Sequence, residues 1–202
     1  PSVSMELAKI RKEGSNYLVY FVELRRLLAL NRTGAEIVDY FFNKNYSPDK
    51  ITSLLKSESK DLLVIPKKVV EKFLKEVKKE LKDSRAGGYP VIPQKETGVP
   101  VSVELQINTN CNLRCKHCFQ EEYHKIMPFE KIREILTILH KAKVFEIKLV
   151  GGETFLHPRI FDVLHLCQKY NFVIDVITNG TLLNDDLVEK LAKIDNLALL
   201  FS

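Results

Sequence analysis

The second half of the sequence alternates short apolar segments with longer amphipathic ones, and this alternation is its strongest constraint on the fold. The short segments are rich in β-branched residues and predict strands over 101–107, 144–150, 172–178 and 197–202. Apolar residues at helical spacing predict helices over 128–141, 158–170 and 185–193. Strands separated by helices imply βα units and a parallel sheet, with chemistry beyond the carboxyl ends of the strands.

The first half has a different pattern. Apolar segments predict three strands over 5–10, 17–22 and 25–30, and three helices follow, beginning after Asn31, after Ser47 and at Pro66. Glycine and proline then interrupt residues 83–100, which we predict to be a linker. We therefore expect an amino-terminal domain over 1–82 and an α/β domain over 101–202.

Composition and charge narrow the class of protein. The chain has 202 residues, too few glycines, prolines and cysteines for a fibrous or disulfide-stapled protein, and apolar runs too short to cross a bilayer. Residues 1–100 hold 19 Lys and Arg against 13 Asp and Glu, whereas residues 101–202 hold 12 against 13. The excess of positive charge favours an acidic partner for the first half, either peptide or nucleic acid.

Three of the four cysteines lie within eight residues, at Cys111, Cys115 and Cys118. Such short spacing without a secretory signal indicates metal ligation in a reducing, cytoplasmic location. Three thiolates can hold three irons of a [4Fe–4S] cube and leave one iron open for a ligand. The alternative is a Cys₃His zinc site that uses His117, although this histidine lies between two of the cysteines. The separate Cys167 falls inside a predicted helix and is expected to be a buried, inert thiol.

The Cys-x₃-Cys-x₂-Cys motif after the first strand of a βα series resembles the radical S-adenosylmethionine (SAM) superfamily. The resemblance implies a partial (β/α) barrel, a [4Fe–4S] cluster and SAM as cofactors, an external electron donor, and a 5′-deoxyadenosyl radical that abstracts hydrogen from substrate. It assigns SAM contacts to the strand ends and the cysteine loop, at His117, Gly151, Gly152, Glu153, Thr178, Asn179 and Ser202. In particular, the Glu153 carboxylate would suit the methionyl ammonium of SAM.

The resemblance also implies a barrel of six strands, whereas we count four before the sequence stops at Ser202. We therefore expect these residues to be the amino-terminal portion of a longer enzyme, roughly 350–450 residues, and to be inactive alone. Auxiliary clusters of the SPASM type would lie in the later portion.

The first half resembles the peptide-recognition domain, a winged-helix-like element of three strands and three helices, found in enzymes that modify ribosomally made peptides. There a leader peptide adds a strand beside the third strand and lies against the last helix. The resemblance places peptide contacts on that strand and that helix, at Arg25, Arg26, Leu27, Leu28, Ala29, Leu30, Val69, Phe73 and Val77. A precursor peptide is the expected partner, and no membrane partner is expected.

Two alternatives stay open. The nearest alternative to a peptide maturase is another radical SAM enzyme whose first domain has a different task, such as a sulfatase-maturase or a small-molecule enzyme. The second alternative is a DNA-binding protein in which the cluster senses redox state, since winged helices commonly bind DNA. Nucleic acid is not the expected partner, because the most basic helix, 67–82, also carries Glu71, Glu76 and Glu80.

Overall fold

The computed structural model describes residues 7–58, 65–82, 98–120 and 124–202, which fall into two compact units, one within 1–98 and one within 99–202. The first unit contains a three-stranded antiparallel sheet in the order β1-β2-β3. Its strands are β1 (Ala8–Glu13), β2 (Asn16–Phe21) and β3 (Arg26–Leu30). Its helices are α1 (Arg32–Val38), α2 (Pro48–Glu58) and α3 (Lys67–Lys82), and a π-helical turn (Asp39–Asn43) follows α1.

Local chemistry explains where these elements begin and end. Gly14 has a φ of 56° in the two-residue turn between β1 and β2, a conformation that glycine adopts without steric cost. Asn31 caps α1 by accepting a hydrogen bond of 2.8 Å from the Gly34 N–H. The core of this unit lies between the sheet and the helices and includes Val19, Val38 and Val77.

The second unit contains a four-stranded parallel sheet in the order β4-β5-β6-β7. Its strands are β4 (Ser102–Gln106), β5 (Glu146–Val150), β6 (Val173–Thr178) and β7 (Leu197–Phe201). Its helices are α4 (Phe129–Lys141), α5 (Ile160–Lys169) and α6 (Asp185–Leu191), with a 3₁₀ turn (Thr154–Leu156) after β5. Apolar residues of sheet and helices, such as Ile132, Ile147 and Ile174, form its core.

The structure confirms the predicted α/β architecture, and its strands and helices differ at their ends by a few residues. The clearest correction concerns Arg25, which the sequence placed in the third strand. Arg25 has a φ of 48° and lies in the turn before β3, because the chain needs a left-handed residue to enter the strand. Most of the predicted linker and the start of the first predicted strand lie outside the described residues. Among the described residues, no helix is long and apolar enough to cross a membrane.

Candidate functional site

The parallel strands bring three loops to one edge of the second sheet, the edge at their carboxyl ends. The loop after β4 carries the three cysteines, the loop after β5 carries Gly151–Glu153, and the loop after β6 carries Thr178–Gly180. Parallel pairing sets this arrangement, because neighbouring strands that run in one direction end at the same edge. The structure thus gathers most of the residues that the sequence selected.

Glu153 connects two of these loops through a fully buried carboxylate. Its Oε1 accepts hydrogen bonds from the Phe155 N–H at 3.0 Å and from the Thr178 hydroxyl at 2.8 Å, and its Oε2 accepts one from the Asn179 N–H at 2.8 Å. The carboxylate has no exposed surface, and both of its oxygens accept hydrogen bonds from the protein. Glu153 thus holds the end of β5 to the end of β6, and its contact with a ligand ammonium stays a prediction.

Gly152 allows the loop after β5 to approach the cysteine loop closely. Its N–H donates to the carbonyl of Asn108 at 3.2 Å, and the Glu153 N–H donates to the carbonyl of Asn110 at 2.6 Å. A Cβ atom at Gly152 would lie 2.4 Å from that Asn110 oxygen, well inside van der Waals contact. A side chain is therefore excluded here by backbone packing against the residue before Cys111.

The three cysteines of the loop are free thiols; Cys111 is half-buried, and Cys115 and Cys118 are exposed. The Leu113 N–H points at the Cys111 sulfur and the Gln120 N–H at the Cys118 sulfur, each at 3.4 Å. N–H groups directed at cysteine sulfurs suit an iron–sulfur cluster, whose reduction potential such bonds help to set. Among the described residues, no three His, Cys, Asp or Glu side chains surround a single point where one metal ion would sit.

Asn179 belongs to a closed set of side-chain hydrogen bonds with Asn112 and Thr181. Its amide nitrogen donates to Asn112 Oδ1 at 3.0 Å and to Cys111 Sγ at 3.8 Å. Its Oδ1 accepts from the Thr181 hydroxyl at 2.7 Å, and the Asn112 amide donates to that hydroxyl oxygen at 2.7 Å. The loop after β6 and the cysteine loop are joined directly by these contacts.

Sequence reasoning missed Asn112 and Thr181, the two residues that complete this set of hydrogen bonds around Asn179. Their sequence gave only a weak indication of a site role. Both are small polar residues in loops at the carboxyl ends of strands, and such residues are common in turns of any protein. Asn112 bonds Thr181 and Asn179, which lie 69 and 67 positions away along the chain, so only the folded structure shows this pairing.

The other predicted site residues lie around this edge. His117 is exposed on the cysteine loop. Ser202 follows β7, and its N–H donates to the carbonyl of Thr178 at 3.2 Å. Gly180 has a φ of 76°, and a Cβ there would lie 3.1 Å from the Phe201 ring, which explains the glycine of this loop.

Cys167 is separate from the cysteine loop in its environment as well as in sequence. Its side chain is fully buried in the core of the second unit. Burial disfavours the thiolate and raises the pKa of this thiol to about 12. The structure agrees with the expected inert thiol.

The predicted peptide contacts of the first unit fall into exposed and buried groups. Val69 is 52% exposed and Ala29 is exposed, while Phe73 and Leu28 are half-buried and pack against the same core cluster. Val77 is only 4% exposed and packs in the core, so the structure removes its side chain from the peptide contacts.

Of the other predicted contacts on the third strand, Leu27 is also buried, and Arg26 and Leu30 are half-buried. The Phe73 ring and the Leu30 side chain both lie next to Gly34 of α1. A Cβ atom added at Gly34 would be 3.2 Å from the Phe73 ring and 3.4 Å from Leu30 Cβ. The two elements of the predicted peptide surface, β3 and α3, are therefore adjacent in the structure.

Comparisons with known proteins identify a family for the second unit. Residues 105–202 match the profile of the Radical SAM superfamily. A tungsten-containing aldehyde ferredoxin oxidoreductase cofactor-modifying protein from Pyrococcus furiosus is 35% identical over 95 residues, covering 45% of this chain and 27% of the relative. The antilisterial bacteriocin subtilosin biosynthesis protein AlbA of Bacillus subtilis is 30% identical over 100 residues, covering 48% of this chain and 22% of that protein. The matched segments thus span about a quarter of the length of these relatives.

The fold also resembles that of a solved structure over nearly the whole chain. The crystal structure of Streptococcus suis SuiB bound to its precursor peptide SuiA aligns with a TM-score of 0.61 and 19% identity. The alignment covers 97% of this chain and 46% of SuiB. At this identity the likeness establishes the shared fold.

Replacement of any one loop cysteine by alanine is expected to abolish the cluster, because each would hold a different iron. After anaerobic reconstitution, the parent chain should be brown and hold about four irons, measured by iron analysis and visible absorption. Cys167→Ala is the matched control and should keep the parent iron content. Stoichiometric zinc without iron in the parent would contradict the assignment.

Gly152→Ala is expected to destabilise the chain by about 1–3 kcal/mol, the usual cost of overpacking, and to lower its iron content. The new methyl group would collide with the backbone that leads into the cysteine loop. Urea unfolding and iron analysis measure the two effects. Gly98→Ala is the control, since its Cβ would meet its nearest atom at an ordinary 3.9 Å; equal effects in the two variants would refute the explanation.

Proposed function

Through residues 105–202 this chain belongs to the Radical SAM superfamily, and on that premise we propose that it serves in peptide maturation. The first unit would bind the leader of a precursor peptide, and the second would bind the cluster and SAM. The observation that carries the peptide-binding role is an edge strand, β3, which directs polar groups outward and whose Leu30 lies near Phe73 of α3.

The residues of the second unit fit the cofactors of the family. The cluster would be ligated by Cys111, Cys115 and Cys118. The loops after β5 and β6 would contact SAM. When bound and reduced, these cofactors supply a radical able to abstract hydrogen from an unactivated carbon. The chain's own part is to position the thiols, to hold the loops together through Glu153, and to shield the site from water.

Hydrogen bonds at the start of the first hairpin show which backbone N–H and C=O groups of β1 point away from β2. The Val22 N–H donates to the carbonyl of Leu7 at 3.0 Å, so in this pairing register alternate residues, starting at Leu7, bond to β2. The polar groups of Ala8 must then point away from β2. The structure shows this direction. The Asn43 side chain accepts a hydrogen bond from the Ala8 N–H at 2.9 Å and donates one to the Ala8 carbonyl at 2.8 Å.

The same alternation passes through β2 to β3. Residues of β2 that do not bond β1 bond β3, and their partners in the register are Arg26, Leu28 and Leu30. The N–H and C=O groups of Leu27 and Ala29 therefore point to the outer edge of the sheet. An added peptide strand would pair with these two residues.

The two edges of the sheet differ in a way that selects β3. At the β1 edge, the Asn43 amide occupies the position that a pairing strand would take. Near the β3 edge, α3 brings the half-buried Phe73 close to Leu30, and the exposed Val69 lies one helical turn before Phe73. A peptide at β3 would gain main-chain hydrogen bonds from the strand and side-chain selection from the helix.

A small-molecule enzyme is the second candidate, because one of the relatives is described as cofactor-modifying. In that case the first unit would have no affinity for a leader, while the chemistry of the second would be unchanged. Measurements of peptide binding and of SAM cleavage therefore separate the two proposals.

Ala29→Pro is expected to weaken leader binding about tenfold, since it removes one outward N–H worth roughly 1.4 kcal/mol to the peptide. The probe is a synthetic leader peptide, taken from a short reading frame to be sought among the neighbours of this gene, and binding is measured by fluorescence anisotropy. Ala29→Val keeps the N–H and should bind normally.

Leu28→Pro is a second control for the same experiment. It removes an N–H that points to β2, so it should lower the free energy of unfolding of the chain rather than affect the peptide edge alone. Parent affinity in the folded Ala29→Pro variant would contradict strand addition at β3.

The reaction is tested with the complete enzyme, the same precursor peptide, SAM and a chemical reductant. We expect 5′-deoxyadenosine and a change in the peptide's mass, both detected by mass spectrometry. A precursor with its leader removed should be modified much more slowly, because tethering raises the local concentration of the core segment. Formation of 5′-deoxyadenosine with no peptide change for any such precursor would favour the small-molecule enzyme.

A further inference from the structure

We propose that Asn179 is a positioning residue that donates a hydrogen bond to the sulfur of Cys111, and thereby raises the reduction potential of the cluster that Cys111 helps to hold. The resemblance to the family instead assigns Asn179 to SAM. The inference rests on the cluster-binding part of the proposed function and is independent of the peptide.

The hydrogen bonds around Asn179 determine which end of its amide faces the sulfur. The Thr181 N–H, at 3.0 Å, and the Thr181 hydroxyl, at 2.7 Å, both point at one terminal atom, which must therefore be the acceptor oxygen. The other terminal atom is the nitrogen. It lies 3.0 Å from Asn112 Oδ1 and 3.8 Å from Cys111 Sγ, and a reversed amide would set oxygen against oxygen.

The backbone of Asn179 is held as firmly as its side chain. Its N–H donates to the buried Glu153 carboxylate at 2.8 Å, and the Glu153 N–H donates to Asn110, the residue before Cys111. Asn179 and the start of the cysteine loop are thus tied to one common residue. The distance between the amide nitrogen and the sulfur is set from both sides.

This geometry has a consequence for the electronic state of the cluster. A hydrogen bond to a cysteine sulfur favours the more negatively charged, reduced state and so raises the reduction potential. The side chain of Asn179 is fully engaged by Thr181, Asn112 and Cys111, so its role is exerted on the thiolate. Asn112 and Thr181 keep the donor aimed at the sulfur.

The test compares reduction potentials of the reconstituted, cluster-loaded chain by redox titration monitored with electron paramagnetic resonance. Asn179→Ala should keep about four irons and shift the potential to a more negative value. Thr181→Val is the graded comparison: it loses the hydroxyl that helps to aim the amide but keeps the Thr181 N–H, so its potential should shift in the same direction by less than that of Asn179→Ala. SAM affinity, measured by calorimetry, should change less than twofold in Asn179→Ala.

The opposite pattern, an unchanged potential with strongly weakened SAM binding, would overturn the proposal and return Asn179 to the SAM contacts. If Asn179→Ala does not fold or load iron, Asn179→Asp decides instead, because it is isosteric and keeps the acceptor for Thr181. An aspartate cannot donate to the thiolate, so its potential must be more negative than the parent's, and an unchanged value refutes the inference. A parent without iron would count against the proposed function and is recognised before either variant is compared.

Discussion

The buried carboxylate of Glu153 receives hydrogen bonds from both the 3₁₀ turn that follows β5 and the loop that follows β6. A buried charge without donors would be costly, so these bonds make the spacing between the two loops a condition of stability. The neighbouring N–H of the same residue reaches back to the cysteine loop. One side chain and its peptide group therefore set the relative positions of three loops, and each feature of the site follows from that.

The two units differ in which part of the sheet is suited to binding. The parallel sheet is covered by helices and uses the ends of its strands, where loops of separate origin meet. In the antiparallel sheet the Asn43 amide occupies the β1 edge at Ala8, and β3 is the edge at which we propose that a peptide pairs. Binding of an extended peptide would then depend on the side of a strand, and binding of a compact cofactor on the ends of strands.

Much of this organisation could be predicted from sequence, because it depends on local patterns. The βα alternation and the cysteine spacing are readable within short windows, as is the cap at Asn31. The contacts of Asn43 with Ala8 and of Asn179 with Cys111 could not be predicted, since they join residues 35 and 68 positions apart. Glu153 could be selected from its motif, but its hydrogen bonds to Thr178 and Asn179 could not be predicted, because sequence does not show burial.

The outward polar groups of Leu27 and Ala29 are separated by one residue, and this spacing limits what the edge can recognise. Main-chain pairing is indifferent to side-chain identity, whereas alternate side chains of an added strand face opposite sides of the sheet. Only every second side chain of the bound segment would therefore face α3. A precursor could vary freely at the intervening positions, and its recognition signal would be a pattern of alternation rather than a contiguous motif.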